Sequence, residues 1–217
     1  MASVVVVTSS LFGANAQLAA LAQAVLRDLG AEVRLRGVKQ LVLEDRMAAE
    51  AKSMTEATQE DLAWADGLVF TSPSHTGLLS ASIKAFIDEN HEVASTGAFL
   101  NKTFTAMATS AFAHAGQERV VDDLNAVAAA WGCILVPPST VDATINKLDG
   151  NPYGLSFVLA HGAIPDVDAA RDVLRVHLGR FVAVTDALAP LRQERGAADG
   201  RPRIPARPPL RAVDVFS

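Results

Sequence analysis

Val4-Val5-Val6-Val7, followed directly by Thr8-Ser9-Ser10-Leu11-Phe12-Gly13-Ala14-Asn15, is the stretch that decides the fold. Four consecutive valines with no polar alternation predict a strand buried on both faces, as in a parallel sheet covered by helices. The turn-rich residues after them predict a loop. Beyond it, Leu18, Leu21, Val25, Leu26 and Leu29 recur at helical spacing, and Gly30 ends the helix. A second strand over Glu32 to Arg36 completes a β-α-β unit.

The same alternation continues. Glu44 to Glu60 is charged and poor in large apolar residues, and reads as a surface insertion leading into a short helix through Trp64. Strands are predicted over Gly67–Thr71, Thr103–Thr109 and Cys133–Val136. Helices are predicted over roughly Ser80–Glu89, Gln117–Trp131 and Asp166–Leu188, with an irregular stretch running through His161 before the last. Five apolar strands alternating with helices imply an α/β fold, a doubly wound parallel sheet of order 2-1-3-4-5 with helices on both faces. Ligands of such sheets sit beyond the carboxyl ends of the strands, where the order reverses between strands one and three. The Ser/Thr/Gly-rich loops after strands one, three and four all fall at that end.

Composition narrows the function. The 217 residues suit one buried domain. We assign residues 1–189 to it and 190–217 to a Pro/Arg-rich tail that is extended or disordered. The net charge of −5 gives no case for nucleic-acid binding, and the tail alone carries +3. Apolar stretches such as Ala126–Val136 are too short to span a bilayer, and no basic region precedes the first valines, so no signal peptide is read there. A single cysteine, Cys133, rules out an internal disulfide and reads as a structural thiol in a buried strand. The histidines show no metal-ligand spacing, so no metal site is expected. The chain reads as a cytoplasmic protein.

The first loop has neither GxGxxG nor GK[ST]. Its small and hydroxyl residues lie between a strand and a helix N-terminus, where free backbone amides favour a phosphate. An ordinary strand-to-helix turn with capping serines reads equally well from this loop alone. Thr76, Phe112 and His114 in the other two loops offer a hydroxyl, an apolar wall and an imidazole to a flat heterocycle. Ser9 and Ser10 lack the elbow of a nucleophile. Asp88-Glu89-Asn90-His91-Glu92 reads as a solvated helix end.

Several of these segments are similar to the WrbA-type NAD(P)H:quinone oxidoreductases, a flavodoxin-like family that binds FMN non-covalently. The resemblance is carried by Ser10-Leu11-Phe12-Gly13, Pro73, Gly77, Phe86-Ile87-Asp88, Gly97-Ala98 and Thr109-Ser110 through Gly116-Gln117-Glu118. Asn151-Pro152-Tyr153-Gly154, which resembles the family's PYG signature, adds to it. It implies that Ser10, Leu11, Phe12, Gly13, Ala14 and Asn15 hold the FMN phosphate. Pro73, Ser74, His75, Thr76 and Gly77, with Thr109, Ser110, Ala111, Phe112, His114 and Gly116, would flank the isoalloxazine. It further implies hydride transfer from NAD(P)H to the flavin, a quinone-like acceptor, and a homo-oligomer, dimer or tetramer, whose sites include residues of neighbouring subunits.

This chain departs from the family's pattern at Ala14, His75, Thr76 and Ala94, and at Trp131, where the family often has a histidine. His75, His114 and Trp131 are the candidates for substrate-side roles; each histidine could also be a plain solvent residue, and Trp131 a cap on the core. The departures keep two other functions open: a one-electron carrier of the flavodoxin kind, and a relative whose redox role has been lost or repurposed.

Overall fold

A computed structural model describes residues 1–41, 44–148 and 150–192. Most of the Pro/Arg-rich tail, from Gln193 onward, lies outside the described residues; 189–192 are helical.

The sheet runs β2-β1-β3-β4-β5, all parallel. β1 is Ser3–Thr8, β2 Glu32–Gly37, β3 Gly67–Pro73, β4 Thr103–Ser110 and β5 Ile134–Leu135. The valines of β1 explain why this strand is central. Successive side chains point to opposite faces, so Val4 and Val6 enter one apolar core while Val5 and Val7 enter the other, all four fully buried. Burying each contributes about 2 kcal/mol. The first core lies under α1 (Ala14–Asp28) and α7 (Val167–Ala187). The second lies under α3 (Gln59–Trp64), α4 (Ala81–Glu89) and α6 (Gln117–Ala130). Two short helices are α2 (Ala49–Lys52) and α5 (His91–Ser95).

The fifth strand position differs from the sequence expectation. Only Ile134 and Leu135 pair with the start of β4, at Thr103 and Phe104. The chain then leaves the sheet at Pro137-Pro138 and returns as β6, Leu155–Val158, which pairs with Met107–Ser110 at the far half of β4. β6 falls in the stretch that the sequence leaves irregular, because it is four residues long and sits among Pro, Gly and Asn. The Asn-Pro-Tyr-Gly turn launches it. Asn151 accepts from the Tyr153 amide at 3.0 Å and donates to Ser156 Oγ at 2.8 Å, and the Tyr153 carbonyl accepts from Asn125. A Cβ on Gly154 would stand 2.6 Å from the Ala106 carbonyl oxygen and 2.7 Å from Val121, so only glycine lets the turn pass between β4 and α6.

Cys133 precedes β5 and is partly exposed, not inside a buried strand. Its thiol donates to the Phe99 carbonyl, and burial pushes its pKa up to about 12, offset in part by Lys102. Such a thiol is unreactive. At the β2 edge Asp61 closes a capping box with Thr58. Burial opposes its ionisation, yet hydrogen bonds from Arg36, Thr58 and Arg34 hold its carboxyl below the usual range.

Candidate functional site

The first loop ends in Gly13, whose φ of 95° and missing Cβ let the chain turn directly into α1. Ser10 Oγ accepts from the Ala16 amide at 3.1 Å, and the Gln17 amide bonds the Gly13 carbonyl. Among the described residues no acceptor meets the amides of Ala14 and Asn15, the helix's first two. Asn15 is buried; its Nδ2 donates to the Ser9 carbonyl at 2.9 Å, and among the described residues its Oδ1 has no partner. Ser9 Oγ accepts from Ser80, the cap of α4, at 2.7 Å. Thr8 and Thr71 join hydroxyls at 2.7 Å across β1 and β3. The carboxyl end of the sheet is thus polar, small and knitted together at the point where the strand order reverses.

The second loop folds into a two-residue turn. His75 and Leu78 bridge, and Thr76 and Gly77 both lie in the left-handed region, at φ 55° and 82°. A threonine there costs about 1–2 kcal/mol, so the surrounding contacts impose the shape. Burial without a compensating partner pulls the His75 pKa below its ordinary value, which keeps the ring neutral at pH 7.

The third loop is held from inside by one side chain. Gln117, buried at the start of α6, accepts from the Ala115 amide at 3.1 Å and donates to the carbonyls of Phe112 and Ala113 at 3.1 and 2.8 Å. Ser110 Oγ also donates to the Phe112 carbonyl. Ser74 ties this loop to the second one: its amide donates to Thr109 at 2.8 Å and its hydroxyl to the Ala115 carbonyl. Gly116, at φ 87°, lies so close that a Cβ there would meet Gly77 Cα at 2.5 Å. The result presents Phe12, Leu78 and Phe112 outward, Phe112 at 74% exposure. Gln117→Leu should remove three hydrogen bonds from this loop and leave the Ala115 amide and the Ala113 carbonyl without a partner, the Phe112 carbonyl keeping Ser110. Its expected cost is about 2 kcal/mol in the loop's order, read as faster amide exchange over residues 112–115 with the rest of α6 unchanged.

Most of the sequence-derived candidates therefore come together: Ser10 to Asn15, Pro73 to Gly77 and Thr109 to Gly116 occupy one end of the sheet. His114 is exposed on the third loop. Trp131 is the exception. It caps the other end of α6, about 20 Å along the helix from Gly116. There it packs in the core against Phe99 and Phe70, with ring centroids 4.8 and 6.0 Å away. It is 6% exposed in the second core, because α6 carries it back toward the base of the sheet. The sequence motifs do not disclose the Gln117 clamp or the Ser9–Ser80 link; a glutamine directly after a glycine-ended loop is the visible signal for the first.

No helix among the described residues is long and apolar enough to cross a membrane. The family described as NADPH-dependent FMN reductase matches residues 2–146. A relative from Deinococcus radiodurans named NAD(P)H dehydrogenase (quinone) is 37% identical over 171 residues, spanning 75% of this chain and 84% of that protein. One of the same name from Chelativorans is 29% identical over 165 residues, 72% and 82% of the two chains. The flavodoxin, WrbA-like protein from Agrobacterium tumefaciens superposes with a TM-score of 0.57 at 17% identity, covering 89% of this chain and 99% of that one; this last likeness concerns the fold alone. With that fold, that loop cluster and a family match across most of the sheet, the chain belongs to the NADPH-dependent FMN reductase family.

Proposed function

We propose that this protein is an FMN-dependent NAD(P)H:quinone oxidoreductase. The observation that carries the reading is the pair of unpartnered amides at Ala14 and Asn15, beyond β1 at the reversal of strand order, in a chain of this family. A phosphate monoester fits there: Ser10 and Gly13 shape the turn, and the Asn15 amide side chain steadies it through Ser9. No cation is required, since helix amides and hydroxyls supply the donors. The second and third loops would flank the isoalloxazine, Pro73 to Gly77 on one side and Thr109 to Gly116 on the other.

Bound FMN supplies two-electron transfer from NAD(P)H to a quinone or similar conjugated acceptor. The chain's own part is to bind, orient and exclude water. Gln117 and Ser74 fix the loop that bears Phe112, and Phe112 gives apolar cover. His75, neutral at pH 7, offers one ring N–H and one lone pair to an acceptor carbonyl or to the flavin edge. The apolar side chains of Phe12, Leu78 and Phe112, exposed on the loops at this end, support a homo-oligomer with subunits meeting at the site. An unpaired cysteine supports a reducing, cytoplasmic setting.

Titration with FMN and with riboflavin, followed by flavin fluorescence, tests the site. FMN is expected to bind at least a hundredfold tighter, roughly what several charge-assisted phosphate bonds contribute. NADH or NADPH oxidation should then depend on added quinone. Equal binding of the two flavins would sink the phosphate loop, and a stable one-electron flavin state without turnover would favour a carrier.

A further inference from the structure

A cavity of about 480 Å³ opens beside the end of β2, one strand away from the three loops. Its walls come from residues 37–40 and 45–56. The second of these segments also packs on the first loop: the Ala48 amide donates to the Leu11 carbonyl at 2.9 Å, and Glu50 approaches Gly13. The cavity and the proposed phosphate cradle therefore share a wall, and a ligand lying across that wall reaches both.

The lining chemistry fits an adenine nucleotide. Gln40 is 6% exposed, and among the described residues its Oε1 has no hydrogen-bond partner. A buried unpaired carbonyl is costly, and a carboxamide pairs in bidentate fashion with the amine and ring nitrogen of adenine. Met47 and Met54 offer adaptable thioether surfaces to a purine face. Lys39 and Lys52 can meet phosphate oxygens, while Asp45 and Glu56 can accept from ribose hydroxyls. The volume lies within the range of small-ligand sites. The two lysines and two carboxylates balance, which suits a ribose and phosphate together better than an isolated anion.

We infer that this cavity receives the adenosine end of the nicotinamide donor, with Gln40 reading the adenine edge. The inference rests on the donor use proposed above. It divides the work of binding. The loops at the reversal point hold the reacting end, and the β2 cavity supplies affinity for a part of the donor remote from the chemistry.

The test uses full-length, FMN-loaded protein, saturating quinone, and two donors, NADH and reduced nicotinamide mononucleotide, which lacks the adenosine. Gln40→Leu should raise KM for NADH about tenfold, the loss of one buried hydrogen bond, with kcat unchanged and the mononucleotide unaffected. Because Gln40 is buried, the surface variant Lys39→Ala/Lys52→Ala serves as a second probe with the same expected donor selectivity. Calorimetry with ADP-ribose, needing no turnover, should show binding that either variant weakens and that competes with NADH. Equal shifts for both donors, no shift in either, or ADP-ribose binding that leaves NADH kinetics untouched overturns the inference. Failure of the wild type to bind FMN would strike the functional reading instead, and the ADP-ribose measurement would still decide this one.

Discussion

Gly116→Ala is expected to lower FMN affinity by roughly a hundredfold or more, about 3 kcal/mol, while the fold survives. Two costs combine. An alanine at φ 87° is strained by about 1–2 kcal/mol. Its Cβ would also stand 2.5 Å from Gly77 Cα and 2.8 Å from the Gly77 carbonyl oxygen, a backbone collision that no rotamer relieves. The second and third loops must separate, which breaks the Ser74–Ala115 hydrogen bond and misplaces both proposed walls of the flavin. Gly30→Ala isolates the first cost. It has the same φ of 87° but open space where the Cβ would go, so it should lose about 1 kcal/mol of stability and leave FMN affinity alone. Flavin fluorescence titration and urea unfolding of both variants check this; equal FMN binding in Gly116→Ala and wild type would show that the flavin does not touch these loops.

The second large effect is on stability in acid. His177 is fully buried between α7 and β4, bonded through Nε2 to Thr105 Oγ1 at 2.7 Å, with no partner on Nδ1 among the described residues. Burial pushes its pKa down to about 3, and the charge of Arg180 adds to the shift. A histidine with a depressed folded pKa contributes stability above its unfolded value near 6.5, and that contribution is lost as pH falls toward 3. Each pH unit in this window removes about 1.4 kcal/mol, so a drop from pH 6.5 to 5 should cost about 2 kcal/mol, before ordinary carboxylates titrate. His75 adds a smaller loss of the same sign. Asp61 and Asp66, whose carboxyls are held low by hydrogen bonds despite burial, add theirs only further into acid. His177→Gln should flatten the decline between pH 6.5 and 5 in urea unfolding series. A wild-type curve already flat in that range would mean the ring is protonated or solvated in the folded state.

Much of this was legible in the sequence because its strongest signals are local. Val4–Val7 can only be a strand buried on both faces, and the Ser/Thr/Gly loops at strand ends fall where a doubly wound sheet collects ligands. What escaped depends on partners distant in the chain. Leu155–Val158 is a strand only because β4 is four times as long as β5 and leaves an edge to be filled. Gln117 looks like any first-turn residue until the loop's carbonyls point at it. His177 recurs with Val173, Leu174, Leu178 and Phe181 on the apolar face of α7, so its burial could have been read from periodicity, though not its bond to Thr105. Trp131 carried two readings, and only the direction of α6 chooses the core.

The divided fifth strand has a consequence for how β4 opens. Its base is zipped to β5, its far half to β6, and the excursion between them makes these separate closures. Release of β6 can expose the Met107–Ser110 edge while Thr103 and Phe104 stay protected. The end of β4 that carries the third loop is therefore expected to open as a smaller cooperative unit than the end that anchors it, without loosening the foundation of the sheet.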